Sequence, residues 1–265
     1  MFDYSFILPL YHKENLNSLK DSIDSIINQT IPPKEILITI DNISNPSHIN
    51  LIKEYKEKKI KILIYRGKGG LGGVLAKGVL ASNTEIILRQ DSDDISITNR
   101  ASKQIKHLIN TNADIVSSNI REFIHTPGDL IKNLRKSNMN KNNYFLRNPI
   151  NHMSVAFKKR SIVKYGNYKP LKNFEDWYLW LRAIKHNSKL EIMNETLVYA
   201  RLGKKFYNKR HGLKYYLTEL KAMYCFLKED LIPIKYFLLN IFLRLFVRLL
   251  PLIFTNFVYK QLRSK

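Results

Sequence analysis

The chain opens on an almost unbroken apolar run. Residues 4–11 (Tyr-Ser-Phe-Ile-Leu-Pro-Leu-Tyr) read as a strand buried on both faces that ends near Pro9. Leu16, Leu19, Ile23, Ile26 and Ile27 then recur at helical spacing, and Asn28-Gln29-Thr30 with Pro32-Pro33 stop that helix. The pattern repeats. Residues 35–40 predict a second strand with Asp41 at its carboxyl end, 47–58 a helix, and 60–65 a third strand. A glycine-rich turn over 67–73 leads into a helix over 74–81, and 85–89 is a fourth strand. A helix over 98–110 and a fifth strand over 114–118 follow. Alternating strands and helices predict an α/β fold with a mostly parallel, doubly wound, Rossmann-like sheet. Such sheets bind ligands beyond the carboxyl ends of their strands, where Pro9, Asp41 and Asp91 fall.

Residues 119–150 are polar and rich in Asn and Lys, with Pro127-Gly128, and read as an excursion over that edge. The pattern resumes with a strand over 153–157, a helix over about 174–186, and two short strands over 189–193 and 197–200. Residues 232–259 differ in character, being dense in Leu, Ile and Phe. Their longest uncharged stretch is 11 residues, 249–259, against the ~20 that a spanning helix needs. Asn240, Arg244 and Arg248, spaced i, i+4, i+8, form one polar stripe on an apolar helix, and Pro251 breaks it. Lys260, Arg263 and Lys265 follow. This composition predicts a helix lying in a membrane interface with its arginines against anionic headgroups. The competing expectation is a helix packed on the domain core or on a partner. The chain therefore divides into a nucleotide- and acceptor-binding domain over 1–211 and a helical, membrane-associating segment over 212–265.

Charge sharpens the picture. The formal net charge is +22, from 44 basic and 22 acidic residues, which points to nucleic acid, an anionic membrane or anionic substrates. Residues 201–265 carry 14 Lys or Arg against three acids, so much of the excess sits beside the apolar tail. No helix-turn-helix, zinc-finger or aromatic RNA-binding signature is visible, which disfavours nucleic acid. The single cysteine, Cys225, excludes an intramolecular disulfide framework. The N-terminus has no basic segment followed by a long apolar one, so no signal peptide is expected and the protein is placed in the cytoplasm.

Against this basic background, Asp91-Ser92-Asp93-Asp94 stands out at the end of the fourth strand. Carboxylates so close repel one another, and a hard divalent cation such as Mg²⁺ or Mn²⁺ relieves that repulsion. The alternative is a polar turn in which Asp94 or Ser96 caps the next helix.

These residues resemble the family 2 glycosyltransferases of the GT-A fold. The resemblance covers about residues 3–215. It rests on the opening strand 6–11, on Ser22-Ile23-Asp24-Ser25-Ile26-Ile27-Asn28-Gln29-Thr30 with the strand ending in Asp41, and on Lys68-Gly69-Gly70-Leu71-Gly72. Asp91-Ser92-Asp93-Asp94 fills the family's DxD position, and Phe174-Glu175-Asp176-Trp177 matches its Glu-Asp motif. The nearest likeness is to bacterial enzymes of capsule, exopolysaccharide or O-antigen assembly. Lys77 and Asn42 depart from the pattern.

The resemblance implies an inverting transfer of a sugar from a UDP-sugar to a hydroxyl of an acceptor such as an undecaprenyl-diphosphate saccharide. Such work takes place at the cytoplasmic face of the bacterial inner membrane. By resemblance, Asp93 ligates Mn²⁺ or Mg²⁺, Asp91 binds ribose or the metal, and Asp94 positions the sugar or caps the turn. Pro9, Asp41 and Gly70 are expected at the nucleotide. Asp176 is the expected general base with Glu175 as its rival, and Arg201, Lys204, Lys205, Arg210 and His211 are candidates to close over the diphosphate. His152 faces the acceptor or is structural. A nucleic-acid-binding protein and a non-catalytic glycosyltransferase-like binder are the alternatives.

Overall fold

The structure is a computed structural model that describes residues 2–41, 45–55, 59–127, 130–137, 144–203 and 210–249. The expectations placed on Asn42, Lys204, Lys205, Pro251, Lys260, Arg263 and Lys265 lie outside them. Four parallel strands form the first half of the sheet in the order β3 (Ile60–Tyr65), β2 (Glu35–Asp41), β1 (Tyr4–Leu10), β4 (Ile86–Arg89). Along β1, Tyr4, Phe6, Leu8 and Leu10 point to one face and Ile7 to the other, as a two-residue period requires. The first face packs on α1 (Leu16–Ile27), α2 (Pro46–Lys53) and α4 (Arg100–Asn110) through Leu19, Ile23, Ile26, Ile52, Ala101 and Ile105. The second packs on α3 (Gly70–Ala81), α5 (Lys159–Lys164) and α6 (Glu175–Lys185) through Leu75, Val79, Ile162, Leu179 and Trp180. Each fully buried Leu or Ile contributes roughly 1.5–3 kcal/mol. Ile23→Asp would strand a charge in the first of these cores.

Local signals set the ends of α1. The Asn15 side chain accepts from the backbone N–H of Asn17 (2.9 Å) and Ser18 (3.1 Å), which satisfies two donors of the first turn. After Asn28, Gln29 donates to Ile97 O (2.9 Å) and accepts from Ala101 N–H (2.9 Å), tying the helix end to the segment that follows the acidic turn.

Beyond β4 the sheet departs from the mostly parallel expectation. The order continues β8 (Ala156–Lys158), β6 (Ile115–Phe123), β9 (Leu190–Arg201), β5 (Ile95–Ser96), with β7 (Leu130–Arg135) beside β6. Only β6 and β9 pair in parallel here; β4–β8, β6–β8, β5–β9 and β6–β7 are antiparallel. The crossover through α4 gives β6 the same direction as β4. The polar excursion then returns without a crossover helix and inserts β8 between them in the opposite sense. That excursion is partly strand, since β6 runs on to Phe123 and β7 pairs with it. The expected strand at 153–157 is split into a 3₁₀ turn, His152–Ser154, and β8.

The two short strands expected at 189–200 are one strand, β9. Its register against β6 shifts around Asn119, which absorbs Asn194 and Glu195 as an irregularity instead of a turn. The helix expected from 74 begins at Gly70, within the glycine run.

Two C-terminal helices, α7 (Leu213–Lys228) and α8 (Ile234–Leu249), pack on α6 around Trp177, Tyr178, Leu181, Met223, Phe226 and Ile232. The polar stripe of α8 faces inward, contrary to expectation. Asn240 is 2% exposed and donates to Phe145 O (2.8 Å), while Arg244 and Arg248 bind Glu219 of α7. A buried carboxylate needs cationic partners, and Glu219 is 1% exposed, so α7 draws the arginines in. The outward face of α8 is apolar, with Phe242 69% and Phe246 68% exposed. No helix among the described residues is long and apolar enough to cross a membrane.

Candidate active site

The carboxyl ends of β1, β2 and β4 open onto a cleft of about 300 Å³ lined by Pro9, Tyr11, Glu14, Asp41, Asp91 and Asp93. The four nucleotide- and metal-binding candidates Pro9, Asp41, Asp91 and Asp93 thus come together. Gly70 opens α3 with φ +52°, a left-handed conformation that suits glycine. It does not line the cleft itself; its neighbour Leu71 does. The glycines after it permit close packing. A Cβ on Gly72 would stand 2.6 Å from Lys169 O and 3.3 Å from Glu175 Cβ, so this glycine lets α3 approach the acid pair. Lys77 turns to the carbonyl of Ile64.

A polar lattice holds the acidic turn. Ser22 Oγ donates to Asp91 O (3.0 Å), and Gln90 Nε2 to Asp94 O (3.0 Å) and to Ser22 Oγ (2.8 Å). Arg89, buried inside β4, grips Asp91: Nη1 donates to Oδ2 at 2.7 Å and Nη2 to Oδ1. Arg100 holds the Arg89 carbonyl (2.7 Å), and burial with the Arg89 charge nearby pushes its own pKa down to about 9.

Asp94 is buried and accepts from Arg201 N–H (2.9 Å). Burial and the adjacent Asp93 push its pKa well up. Asp93 is pushed up to about 7 by burial and by the Asp91 and Glu14 charges. Such crowding is what a divalent cation relieves. Among the described residues no set of three or more His, Cys, Asp or Glu could hold a metal alone. Asp93, with Asp91 beside it, is the candidate pair for a cation that would take its remaining ligands from a substrate and water.

A second cleft, of about 450 Å³, adjoins the first and shares Leu71 and Asp91 with it. Glu175 and Asp176 line it from the first turn of α6. Burial raises both carboxyls, Glu175 to about 7 with the Asp176 charge adding to the effect. Asp176 is fixed by its own helix, through Trp177 N–H to Oδ1 (2.7 Å), and by Asn148 Nδ2 to Oδ2 (2.5 Å). His152 lies with Nδ1 3.9 Å from Asp176 Oδ2 and pairs through Nε2 with Tyr168 Oη (3.0 Å). Burial and Arg89 depress its pKa, so it stands neutral beside the acids.

The basic candidates separate. Arg201 braces the acidic turn: Nε donates to Asp93 O (3.1 Å), Nη1 to His125 O (2.8 Å) and Nη2 to Asp21 (3.2 Å). Its guanidinium is thus engaged by the turn, by His125 and by Asp21. Arg210 lines the second cleft, and His211 is among the lining residues of neither. Sequence reasoning missed Arg89, Asn148 and the arginines 135, 147, 244 and 248, all of which line the second cleft. Only the i, i+4 spacing of Arg244 and Arg248 signalled anything, and it signalled the wrong side.

The sequence profile of Glycosyl transferase family 2 matches residues 5–165, more than half of the chain. The chain belongs to glycosyltransferase family 2. It is 33% identical over 263 residues to an Escherichia coli UDP-Gal:alpha-D-GlcNAc-diphosphoundecaprenol beta-1,3-galactosyltransferase, covering 97% of this chain and 95% of that one. It is also 33% identical over 213 residues to the O-antigen biosynthesis glycosyltransferase WbnJ of Escherichia coli, covering 78% of this chain and 83% of that one. Among solved structures, residues 1–349 of Staphylococcus aureus TarS, in complex with UDP-GlcNAc, superpose with a TM-score of 0.63 at 16% identity. That match covers 84% of this chain and 66% of the other, and it shows the shared GT-A fold. The glycosyltransferase thus has the family's fold, with two adjoining clefts at its strand ends.

Proposed function

We propose that this glycosyltransferase moves a hexose or N-acetylhexosamine from a UDP-sugar to a hydroxyl of an undecaprenyl-diphosphate-linked saccharide, with inversion, in bacterial surface polysaccharide assembly. The observation that carries this reading is the shared wall: Asp91 lines both clefts, with Asp93 in one and Glu175-Asp176 in the other. Pro9 and Asp41 hold the nucleoside end of the donor. Asp93, with Asp91, would hold Mg²⁺ or Mn²⁺, which when bound supplies charge neutralisation to the departing diphosphate.

Asp176 is the general base. It takes the proton of the acceptor hydroxyl as that oxygen attacks the anomeric carbon, while the bond to the UDP oxygen breaks and UDP leaves on the opposite side. Trp177 N–H and Asn148 fix its orientation. A base acting opposite the departing UDP makes this one displacement, which converts an α-linked UDP-sugar into a β-glycoside. The acceptor's lipid and the outward apolar face of α8 support a peripheral position on the cytoplasmic face of the inner membrane.

The test is a donor screen of UDP-sugars against a synthetic saccharide-diphosphate-lipid acceptor, with the product anomer read by NMR. Transfer from one UDP-sugar with formation of a β linkage is expected. A product that retains the α configuration would overturn the single displacement.

A further inference from the structure

Helix α7 buries Tyr216, Glu219, Ala222, Met223 and Phe226 on one side. Opposite them lie its six exposed residues, Leu213, Leu217 and Tyr224 with Lys214, Lys221 and Lys228. At 3.6 residues per turn the three apolar side chains occupy an arc of roughly 40°, and the three lysines an arc of roughly 40° beside it. The lysines recur every seven residues, so they stand about 10 Å apart along the helix, in a row about 21 Å long.

Helix α8 continues the pattern. Of its eight exposed residues seven are apolar, with Phe242 and Phe246 the most exposed, and the eighth is Lys235. Acids are kept off both outward faces. Glu219 is buried under Arg244 and Arg248, and Glu229 is bound by Tyr178 and Lys169. Between 213 and 249 only Asp230, in the turn between the helices, is an exposed acid. A helix pair that faced water would carry polar residues and both signs of charge there. The outward faces are instead apolar and cationic, which is the pattern of a helix bedded in a membrane interface.

We propose that the lysine row of α7 binds anionic phospholipid headgroups, while the apolar residues beside it and on α8 enter the acyl boundary. The inference rests on the peripheral membrane position proposed above and names the lipid class that it requires. The arginines of α8 are turned inward to Glu219, so the charge that meets the headgroups comes from the neighbouring helix. Lysine suits that place, because its long apolar stem lies along the interface while the ammonium reaches the phosphates. A second copy of the chain fits less well, since two such faces would set lysine against lysine with no acid to pair them. Tyr215 and Glu219 of α7 and Arg244 and Arg248 of α8 line the second cleft, so the same two helices hold that cleft beside the leaflet.

The test is flotation of the full chain with vesicles of phosphatidylcholine alone and of phosphatidylcholine mixed with phosphatidylglycerol. The wild type should prefer the mixed vesicles, and raised salt should erode that preference. The triple variant Lys214→Gln, Lys221→Gln, Lys228→Gln should bind mixed vesicles about 100-fold more weakly, at about fivefold for each lysine. It should keep its wild-type melting temperature and its binding to phosphatidylcholine. The triple change to arginine should restore the preference for mixed vesicles. A glutamine variant that still prefers anionic vesicles, while Phe242→Asp with Phe246→Asp abolishes flotation, would overturn the lysine row and leave the membrane position standing. Absence of flotation in the wild type, with sedimentation showing a dimer that the phenylalanine variant breaks, would overturn both and give the surface to a second copy.

Discussion

Arg89 and Asp91 form a two-pronged ion pair inside the wall between the clefts, with Arg89 buried in β4 and Asp91 lining both sides. The pair fixes one carboxylate of the acidic turn and lends positive charge to Asp176, Glu175 and His152 at once. Lysine keeps the charge but not the fork. Arg89→Lys should keep the fold and lower transfer by roughly 10- to 100-fold, as a misplaced carboxylate does. Single-turnover rates set beside the thermal melt separate this outcome from simple unfolding; a wild-type rate would show that Asp91 needs no such clamp.

The adjacent acids can be told apart. Removing a positioned general base costs about 10²- to 10⁴-fold. Asp176→Asn should lie in that range, and Glu175→Gln should cost far less. The reverse order of kcat values would make Glu175 the base.

Burial gives Glu175 a second signature. Its carboxyl is pushed up to about 7 in the folded protein, against about 4.3 for a free glutamate. Between those values the folded state holds a proton that the unfolded state has released, so stability falls as pH rises through this window. The raised carboxyls of Asp93, Asp94 and Asp176 act with the same sign. Glu175→Gln removes one of these contributions. Urea titrations at pH 4.5 and pH 7.5 should show a smaller loss of stability in the variant than in the wild type, and identical losses would mean that Glu175 ionises freely.

Much of this site was readable beforehand, for a physical reason. Strands buried on both faces leave continuous apolar runs, so β1, β2 and β4 and the polar residues at their ends stand out in the chain. Acids are scarce in a chain of net charge +22, which made Asp91, Asp93 and Glu175-Asp176 conspicuous. Arg89 was not conspicuous, because one arginine in a four-residue strand has no period to betray its burial. The orientation of α8 was misread because a helical period defines two faces without saying which is buried. Glu219, on another helix, decides that.

Gly72 tests the packing of α3 on the acid pair. A methyl group there meets Lys169 O and Glu175 Cβ at 2.6 and 3.3 Å, and the carbonyl is backbone that cannot swing aside. Gly72→Ala should cost about 1–3 kcal/mol of stability, the usual penalty of overpacking, and should lower transfer by displacing Glu175-Asp176. A chemical melt and a rate measurement check the two halves separately; unchanged values in both would mean that α3 has room to shift.

The proposed metal dependence can be tested at Asp93. If a divalent cation joins Asp93 and Asp91 to the donor's diphosphate, Asp93→Ala and excess EDTA should each abolish transfer, and Mn²⁺ or Mg²⁺ should restore the EDTA-treated enzyme. EDTA should also weaken UDP binding, a readout independent of turnover. Full activity in excess EDTA would leave the raised Asp93 carboxyl to another role.

The outward face of α8 is the last point of contact with the surroundings that can be tested alone. Deleting the helix would be uninformative, because it would also remove Asn240 from Phe145 O and both arginines from Glu219, opening the second cleft. Phe242 and Phe246 touch none of that wall, lying on the opposite side of the helix at more than two-thirds exposure. Burying one phenylalanine in an apolar phase is worth roughly 1.5–3 kcal/mol, so Phe242→Asp with Phe246→Asp should weaken vesicle binding by well over tenfold. Transfer to a short-chain, water-soluble diphosphate acceptor should be unchanged, since the Glu219 triad is intact. Flotation with vesicles of mixed neutral and anionic lipids measures the first quantity and a radiolabel transfer assay the second. Undiminished flotation of the double variant would show that this face does not enter the bilayer.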